Sequence, residues 1–328
     1  MGKTVKKLIT SAAIFFYALS GAALSQANTT YPGKPIRLVI GFAPGGAADV
    51  VARTLGESLS RILGQPVLVE NRAGAGSSIA AEHVAKSAPD GYTLLIASPS
   101  SISVNPALNP KLNFRASDLV PITKVSSSPL VVVVNPETGI RSITDLIATA
   151  KKSPGKLNYA TSGIGSAPHF GAALFNQIAG VEMVHVPFKG GGPAVISVIA
   201  GDTQLTFGTP PSVLPMVKAG RLRALAVTSV ERTPLIPDVM GMAEAGVPEY
   251  SIAFWYGLFA PAGTPPEIIK KLFDATSIAA QKPEVKTPLA REGTEVVLSR
   301  SPDAFAAFLI EDAKFWVKLA KQSGATAD

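Results

Sequence analysis

The sequence predicts a two-lobed α/β fold: two parallel or mixed sheets with flanking helices, joined by two crossover strands. Three observations carry this expectation. Short β-branched runs alternate with helical segments along most of the chain. Two longer extended stretches stand apart from that alternation, and glycine-rich turns recur where a strand hands over to a helix.

Eight short runs read as strands: IRLVI, VLVE, TLLIA, LVVVV, LNYA, MVHV, LTFG and RALAVT. Helical segments lie between most of them. Val51, Leu55, Leu59 and Ile62 recur at spacings that place them on one face of a helix. Alternation of this kind means parallel sheets covered by helices. Helix starts are marked by Ser142 with Asp145, by Thr264 with Glu267 and Pro265, and by Ser301 with Pro302. The stretches SSSPLVVVVNP (126–136) and EYSIAFWYGLFAPAGTPPE (249–267) read as the crossovers. They divide the chain into a discontinuous domain 1 (28–128 and 252–328) and a domain 2 (129–251). The final helices, with Phe305, Phe308, Leu309, Phe315 and Trp316, are expected to pack on domain 1. Ligands of open α/β sheets sit at the carboxyl ends of strands, so two such lobes form a hinged clamp around one cleft.

Residues 1–27 have the three regions of a secretory signal peptide. Lys3, Lys6 and Lys7 form a basic start, Leu8 to Leu24 an apolar run, and Ser25 and Ala27 a small-residue cleavage pattern. A spanning helix needs about 20 consecutive apolar residues, and Ser11 and Ser20 interrupt this run. The expected compartment is the periplasm. The chain has no cysteine, which excludes disulfides, thiol nucleophiles and thiolate metal sites. Its net charge of +7 is scattered. No basic stripe interleaved with aromatics appears, so nucleic acid is not an expected partner. No cofactor motif appears, and a monomer is expected.

The chemistry lies in the turns. FAPGGAADVVAR (42–53) follows a strand and opens a helix, with no Lys, Ser or Thr to grip a ligand. Glycine lets main chain approach a ligand closely. The first amides of the helix have no intrahelical partner, and the helix dipole adds partial positive charge. This is an anion site made of backbone. NRAGAGSSIAAEHVA (71–85), ATSGIGSAPHFGAALF (160–175) and VPFKGGGPAVISVIAGD (186–202) repeat the design.

These motifs, with DGYTLLIA, resemble those of the Bug family of periplasmic binding proteins, the substrate-binding components of tripartite tricarboxylate transporters. The resemblance runs from about Tyr31 to the C-terminal helices. It implies the type II periplasmic-binding-protein fold, a small organic carboxylate as ligand, and membrane permease subunits as partners. It implies that loop backbone, hydroxyls and ordered water hold the carboxylate. Gly45, Gly46 and Ala47 then stand on one side of it, and Ser162, Gly165, Ser166 and His169 on the other. Phe42, Ser98 and Lys189 complete the expected ligand-binding set. The chain departs from the family pattern at GAGSS, where a third glycine often stands, and at Phe188, where tyrosine is usual.

Other readings stay open. Asp49 opens the first helix and reads as a structural acid, and Arg53 and Arg72 lie beyond their turns' tips and read as ion-pair partners. Phe42 either walls the pocket or packs beneath it. His169 follows a Gly-Ser turn, His83 lies mid-helix and His185 in a strand, and Trp255 and Trp316 read as core. No GxSxG, HExxH or GxxxxGK[ST] motif occurs, and Pro168 breaks a dinucleotide fingerprint in GIGSAP. Two alternatives remain: a carboxylate-sensing partner of a membrane receptor, and a secreted hydrolase using Ser166 and His169 as nucleophile and base.

Overall fold

The computed structural model describes residues 31–323; the expected leader, residues 1–27, lies outside them. All eight short runs form strands. They are β1 (Ile36–Ile40), β2 (Val67–Asn71), β3 (Thr93–Ala97), β5 (Val131–Val134), β6 (Asn158–Thr161), β7 (Val184–Pro187), β8 (Leu205–Gly208) and β9 (Arg223–Val227). The longer strands β4 (Leu119–Pro129) and β10 (Ala253–Pro261) and a short β11 (Glu295–Val296) complete the set.

The strands form two sheets, ordered β11-β4-β10-β3-β1-β2 and β7-β6-β8-β5-β9. β1 runs parallel to β2 and β3, and β6 parallel to β7 and β8. β10 is antiparallel to β3 and β4, and β5 is antiparallel to β8 and β9. The sheets are therefore mixed, and chain direction explains it. β4 leads out of the first sheet and β10 leads back into it, so the neighbours run in opposite senses. β5 and β9 stand in the same relation in the second sheet. The fold is α/β and two-lobed.

Ten α-helices accompany these strands among the described residues. The first lobe holds α1 (Ala47–Leu63), α2 (Ser78–Ala85) and α3 (Asn105–Leu108), the last entered through a π-helical turn at Ser100–Val104. The second holds α4 (Ile143–Lys152), α5 (Ala167–Ala179), α6 (Gly191–Ala200) and α7 (Pro210–Lys218). The chain finishes with α8 (Pro266–Gln281), α9 (Pro283–Arg291) and α10 (Pro302–Gln322). Along α1, Val51, Leu55 and Leu59 are buried as their spacing requires, and Gly64 ends the helix in the left-handed region. Ser142 and Ser301 cap their helices by accepting the amides of Asp145 and Ala304. Thr264 does not: its hydroxyl donates to the carbonyl of Pro261, and Pro265 takes the capping position. None of the helices among the described residues is long and apolar enough to cross a membrane.

Each lobe has its own core. Val39, Leu95, Trp255, Phe259 and Phe305 belong to the first, and Val131, Ala160, Val198, Val213 and Val227 to the second. On α10, Phe305, Phe308 and Leu309 join the first core, but Phe315 is exposed. Trp316 packs edge-on against Phe254 and also meets Phe170 of the second lobe. The last helix thus touches both lobes, more than its apolar pattern disclosed.

The passages between the lobes are tied together at Thr228. Leu130 is the one residue between β4 and β5, and Ile252 immediately precedes β10. The Thr228 hydroxyl accepts the Leu130 amide at 2.7 Å and donates to the Ile252 carbonyl at 2.8 Å. The Thr228 amide and carbonyl bond the same two residues, at 2.9 and 3.0 Å. One buried side chain thereby holds both passages.

Candidate functional site

The turn between β1 and α1 is built around an internal acid. Gly45 adopts φ +82°, and its amide donates to Asp49 Oδ2 at 3.1 Å. The same carboxylate accepts from Asn71 Nδ2 at 3.0 Å and pairs with Arg53 at 2.9 Å. Burial pushes the Asp49 carboxyl up, but the hydrogen bonds from Arg53, Asn71 and Gly45 outweigh it and hold the group below its ordinary value. Arg72 pairs with Glu70 at 2.6 Å. Both arginines are therefore occupied away from the cleft, and Asp49 shapes the loop from behind.

Four helix starts converge on one small chamber between the lobes. Gly46, Ala47 and Ala48 bring the start of α1, Pro168 that of α5, Gly191 that of α6, and Thr209 and Ser212 that of α7. The chamber measures about 20 Å³, room for little more than one water. No side chain lining it is charged at neutral pH, since burial raises Tyr256 further above its ordinary value. Helix dipoles supply the positive character instead, with the first-turn amides of α1 and α6; α7 adds no free amide, because Pro210 and Pro211 have no N–H and the Ser212 amide is bonded to the Thr209 carbonyl.

A larger cavity of about 250 Å³ adjoins it, with Phe42 and Ser162 lining both. Its first-lobe wall is the Gly74–Ser78 turn with Asn105, Asn109 and Leu112; its second-lobe wall is Ser162–Ile164 and Pro187–Lys189. Three successive residues of that turn are left-handed: Ala75 (φ +44°), Gly76 (φ +57°) and Ser77 (φ +76°). Only Gly76 is a glycine, and it must be one, because a Cβ there would lie 2.6 Å from the Ile164 carbonyl of the other lobe. Asn105 braces the turn, donating to the Gly76 carbonyl at 3.0 Å and to Ser78 Oγ at 2.7 Å.

The lobes meet directly around this cavity. Ser100 Oγ donates to the Gly165 carbonyl of the second lobe, and Gly190 lies against Ala43. The arrangement is a closed one.

Of the expected ligand-binding residues, Phe42, Gly46, Ala47, Ser162 and Lys189 line these two compartments. Gly45, Ser98, Gly165, Ser166 and His169 do not, and each has a physical reason. The Gly45 amide is spent on Asp49. Ser98 is fully buried at the end of β3, its hydroxyl without a partner. Gly165 donates to His169 Nδ1 at 3.1 Å and accepts from Ser100. Ser166 is fully buried with an unpartnered hydroxyl. His169 faces a separate cavity of about 600 Å³ that Tyr159, Asn176 and His185 also line.

The His169 ring stacks on His185 with centroids 4.1 Å apart. Burial, then the neighbouring imidazole, lowers His169 to about 3, and burial lowers His185 to about 4. His169 Nδ1 serves Gly165 rather than Ser166, so the hydrolase pairing of Ser166 with His169 is not formed. Sequence reasoning missed Asn105, Asn109 and Leu112. Their segment has no glycine-rich turn; the sole local hint is a run of small polar residues after β3.

A cleft of main-chain donors between two mixed-sheet lobes defines the class as a two-lobed binding protein. A family model described as the tripartite tricarboxylate transporter family receptor matches residues 51–324, and the chain belongs to that family. Protein BugT of Bordetella pertussis is 38% identical over 312 residues, which cover 94% of this chain and 95% of that protein. Two solved structures are similar throughout. Rpa4515 of R. palustris with adipate is 32% identical with TM-score 0.86, covering 90% of this chain and 99% of that one. MatC of Rhodopseudomonas palustris with bound malate is 31% identical with TM-score 0.82, covering 88% and 99%.

Proposed function

We propose that the protein is exported to the periplasm, captures a small organic carboxylate between its lobes and delivers it to the membrane permease of a tripartite transporter. The hinged units are residues 28–128 with 252–328, and residues 129–251. The observation that carries the reading is the convergence of four helix starts on a chamber free of charged side chains. An anion is stabilised there by fixed amides without a competing acid. The carboxylate sits at the junction of the two compartments, beside Phe42 and Ser162, with water occupying the 20 Å³ chamber behind it. Relatives that hold adipate and malate support a carboxylate as the ligand class. Opening about Leu130 and Ile252 admits the ligand and closing commits it.

A thermal-shift and calorimetric survey of organic acids tests this, with small-angle scattering of the same samples. Saturating acid is expected to raise the melting temperature and reduce the radius of gyration. Acid conversion into a product during incubation would instead favour an enzyme.

A further inference from the structure

The second-lobe wall of the larger cavity is a short segment with little stiffness of its own. Ser162, Gly163 and Ile164 line the cavity and Gly165 follows them; both glycines have positive φ, +123° and +74°. Glycine permits such angles without enforcing them. The same segment meets the first lobe: the Ile164 carbonyl lies against Gly76, and the Gly165 carbonyl accepts from Ser100. Its shape has to be fixed from behind.

Two imidazoles do so, one at each end. His185 Nε2 lies 2.6 Å from Thr161 Oγ1, and that hydroxyl accepts the Gly163 amide at 3.2 Å. His169 Nδ1 accepts the buried Gly165 amide at 3.1 Å. The two rings stack with centroids 4.1 Å apart, and Tyr159 stacks on His185 in turn at 5.3 Å. The two braces are therefore parts of one packed unit. Burial lowers His169 to about 3 and His185 to about 4, so both rings are neutral at pH 7 and the His169 Nδ1 lone pair stays available to accept. Phenylalanine in place of His169 would stack without accepting, and asparagine would accept without stacking; histidine does both.

Resting on the reading that the cleft captures a carboxylate, we propose that His169 and His185 are positioning residues for that capture. Without lining the cleft, the stacked pair holds the Ser162–Ile164 wall from both ends in the shape that the closed arrangement requires.

Two substitutions separate this role from mere packing. His169→Phe keeps a ring in the stack and removes the acceptor, whereas His169→Asn gives up the ring and keeps an oxygen close to the Nδ1 position. Calorimetry with succinate, malate, adipate, hexanoate and benzoate, and amide hydrogen exchange, compare both variants with the unsubstituted protein. For the tightest-binding of these acids, His169→Phe is expected to weaken affinity about tenfold and His169→Asn by no more than about threefold, since only the first leaves the Gly165 amide without a partner. Exchange of the Gly165 amide is expected to speed up in His169→Phe and to stay slow in His169→Asn. At His185 the corresponding pair is His185→Phe against His185→Gln, whose oxygen reaches the Nε2 position, and it decides the matter if a His169 variant does not fold. Unchanged affinity in the Phe variant, or an Asn variant that binds as weakly as Phe, overturns the proposal and leaves carboxylate capture intact. No binding of any of these acids by the unsubstituted protein overturns both.

Discussion

The hydroxyl of Thr228 accepts the amide of Leu130 at 2.7 Å and, through its hydrogen, reaches the carbonyl of Ile252. On the proposed hinge, bending concentrates where those two strands pass, and this threonine then sets how the passages move together. Thr228→Val keeps the shape and removes both side-chain bonds, leaving a buried amide and a buried carbonyl without those partners. A loss of about 2–4 kcal/mol is expected, from roughly 1–3 kcal/mol for each group left unsatisfied. Urea denaturation measures it, and scattering with and without ligand reports whether closure still occurs. A change under 0.5 kcal/mol, at about the level of an ordinary surface substitution, would remove Thr228 from this role.

Gly46 lines the chamber with φ −89°, a conformation open to any residue, and its added Cβ would touch only the Ala43 carbonyl, at 3.7 Å. Gly46→Val is therefore expected to fold while its branches crowd the 20 Å³ chamber. Displacing the chamber water removes one hydrogen bond to the carboxylate, and at roughly 1.5–3 kcal/mol for a bond to a charged group affinity weakens about ten- to a hundredfold. Arg53→Ala and Arg72→Ala are expected to change stability more than affinity, because both guanidiniums are committed to acids. Titration of the three variants with the identified acid checks the order. Abolished binding in an arginine variant with binding retained in Gly46→Val would reverse the reading.

Ser77 combines a left-handed backbone, φ +76°, with a buried hydroxyl that has no partner. Both features are unfavourable for serine and are relieved by glycine. Ser77→Gly loses about 0.5–1 kcal/mol to backbone freedom, against roughly 1–3 kcal/mol regained from the strain. A net gain of about 1 kcal/mol is expected in chemical denaturation. A fall in stability would mean that the hydroxyl has a bound water or another favourable role in the native state.

His169 and His185 predict a loss of stability in acid. Both are held neutral, at about 3 and about 4, while the unfolded imidazoles titrate near the ordinary value of 6.5. Between those limits the unfolded chain binds more protons, so stability is intact above pH 6.5 and falls as pH drops. At pH 5 the loss is about 2 kcal/mol for His169 and less for the more exposed His185. His169→Gln is expected to flatten the melting temperature between pH 7 and 5 relative to the unsubstituted protein. An equally steep profile in that variant would place the acid sensitivity elsewhere.

Much of the architecture was legible because it is written in local periodicity. Each β-branched run became a strand, and Val51, Leu55 and Leu59 turned inward on one helix as spaced. The glycine turns announced the end of the strands where the cleft lies. What they could not announce was which amide faces it. Gly45 and Gly46 are neighbours with the same residue type, yet a carboxylate four residues on claims the first and leaves the second at the chamber. Likewise Ser162 and Ser166 share a turn, but the turn's left-handed Gly165 carries the chain on so that only Ser162 lines the cavity. Asn105 and Leu112 were illegible for a different reason. They reach the site through a π-helical turn and a four-residue helix, which leave no periodic trace.

The chamber of helix starts has an evolutionary consequence. A guanidinium can be erased by one nucleotide change, whereas a peptide N–H survives every replacement except proline. The end of the cleft that reads charge is thereby shielded from most mutations, while the side chains of Asn105, Asn109 and Leu112 remain free to drift. Lineages descending from such a scaffold can exchange one acid for another by altering a few codons on the far wall, without first having to rebuild their grip on the carboxylate.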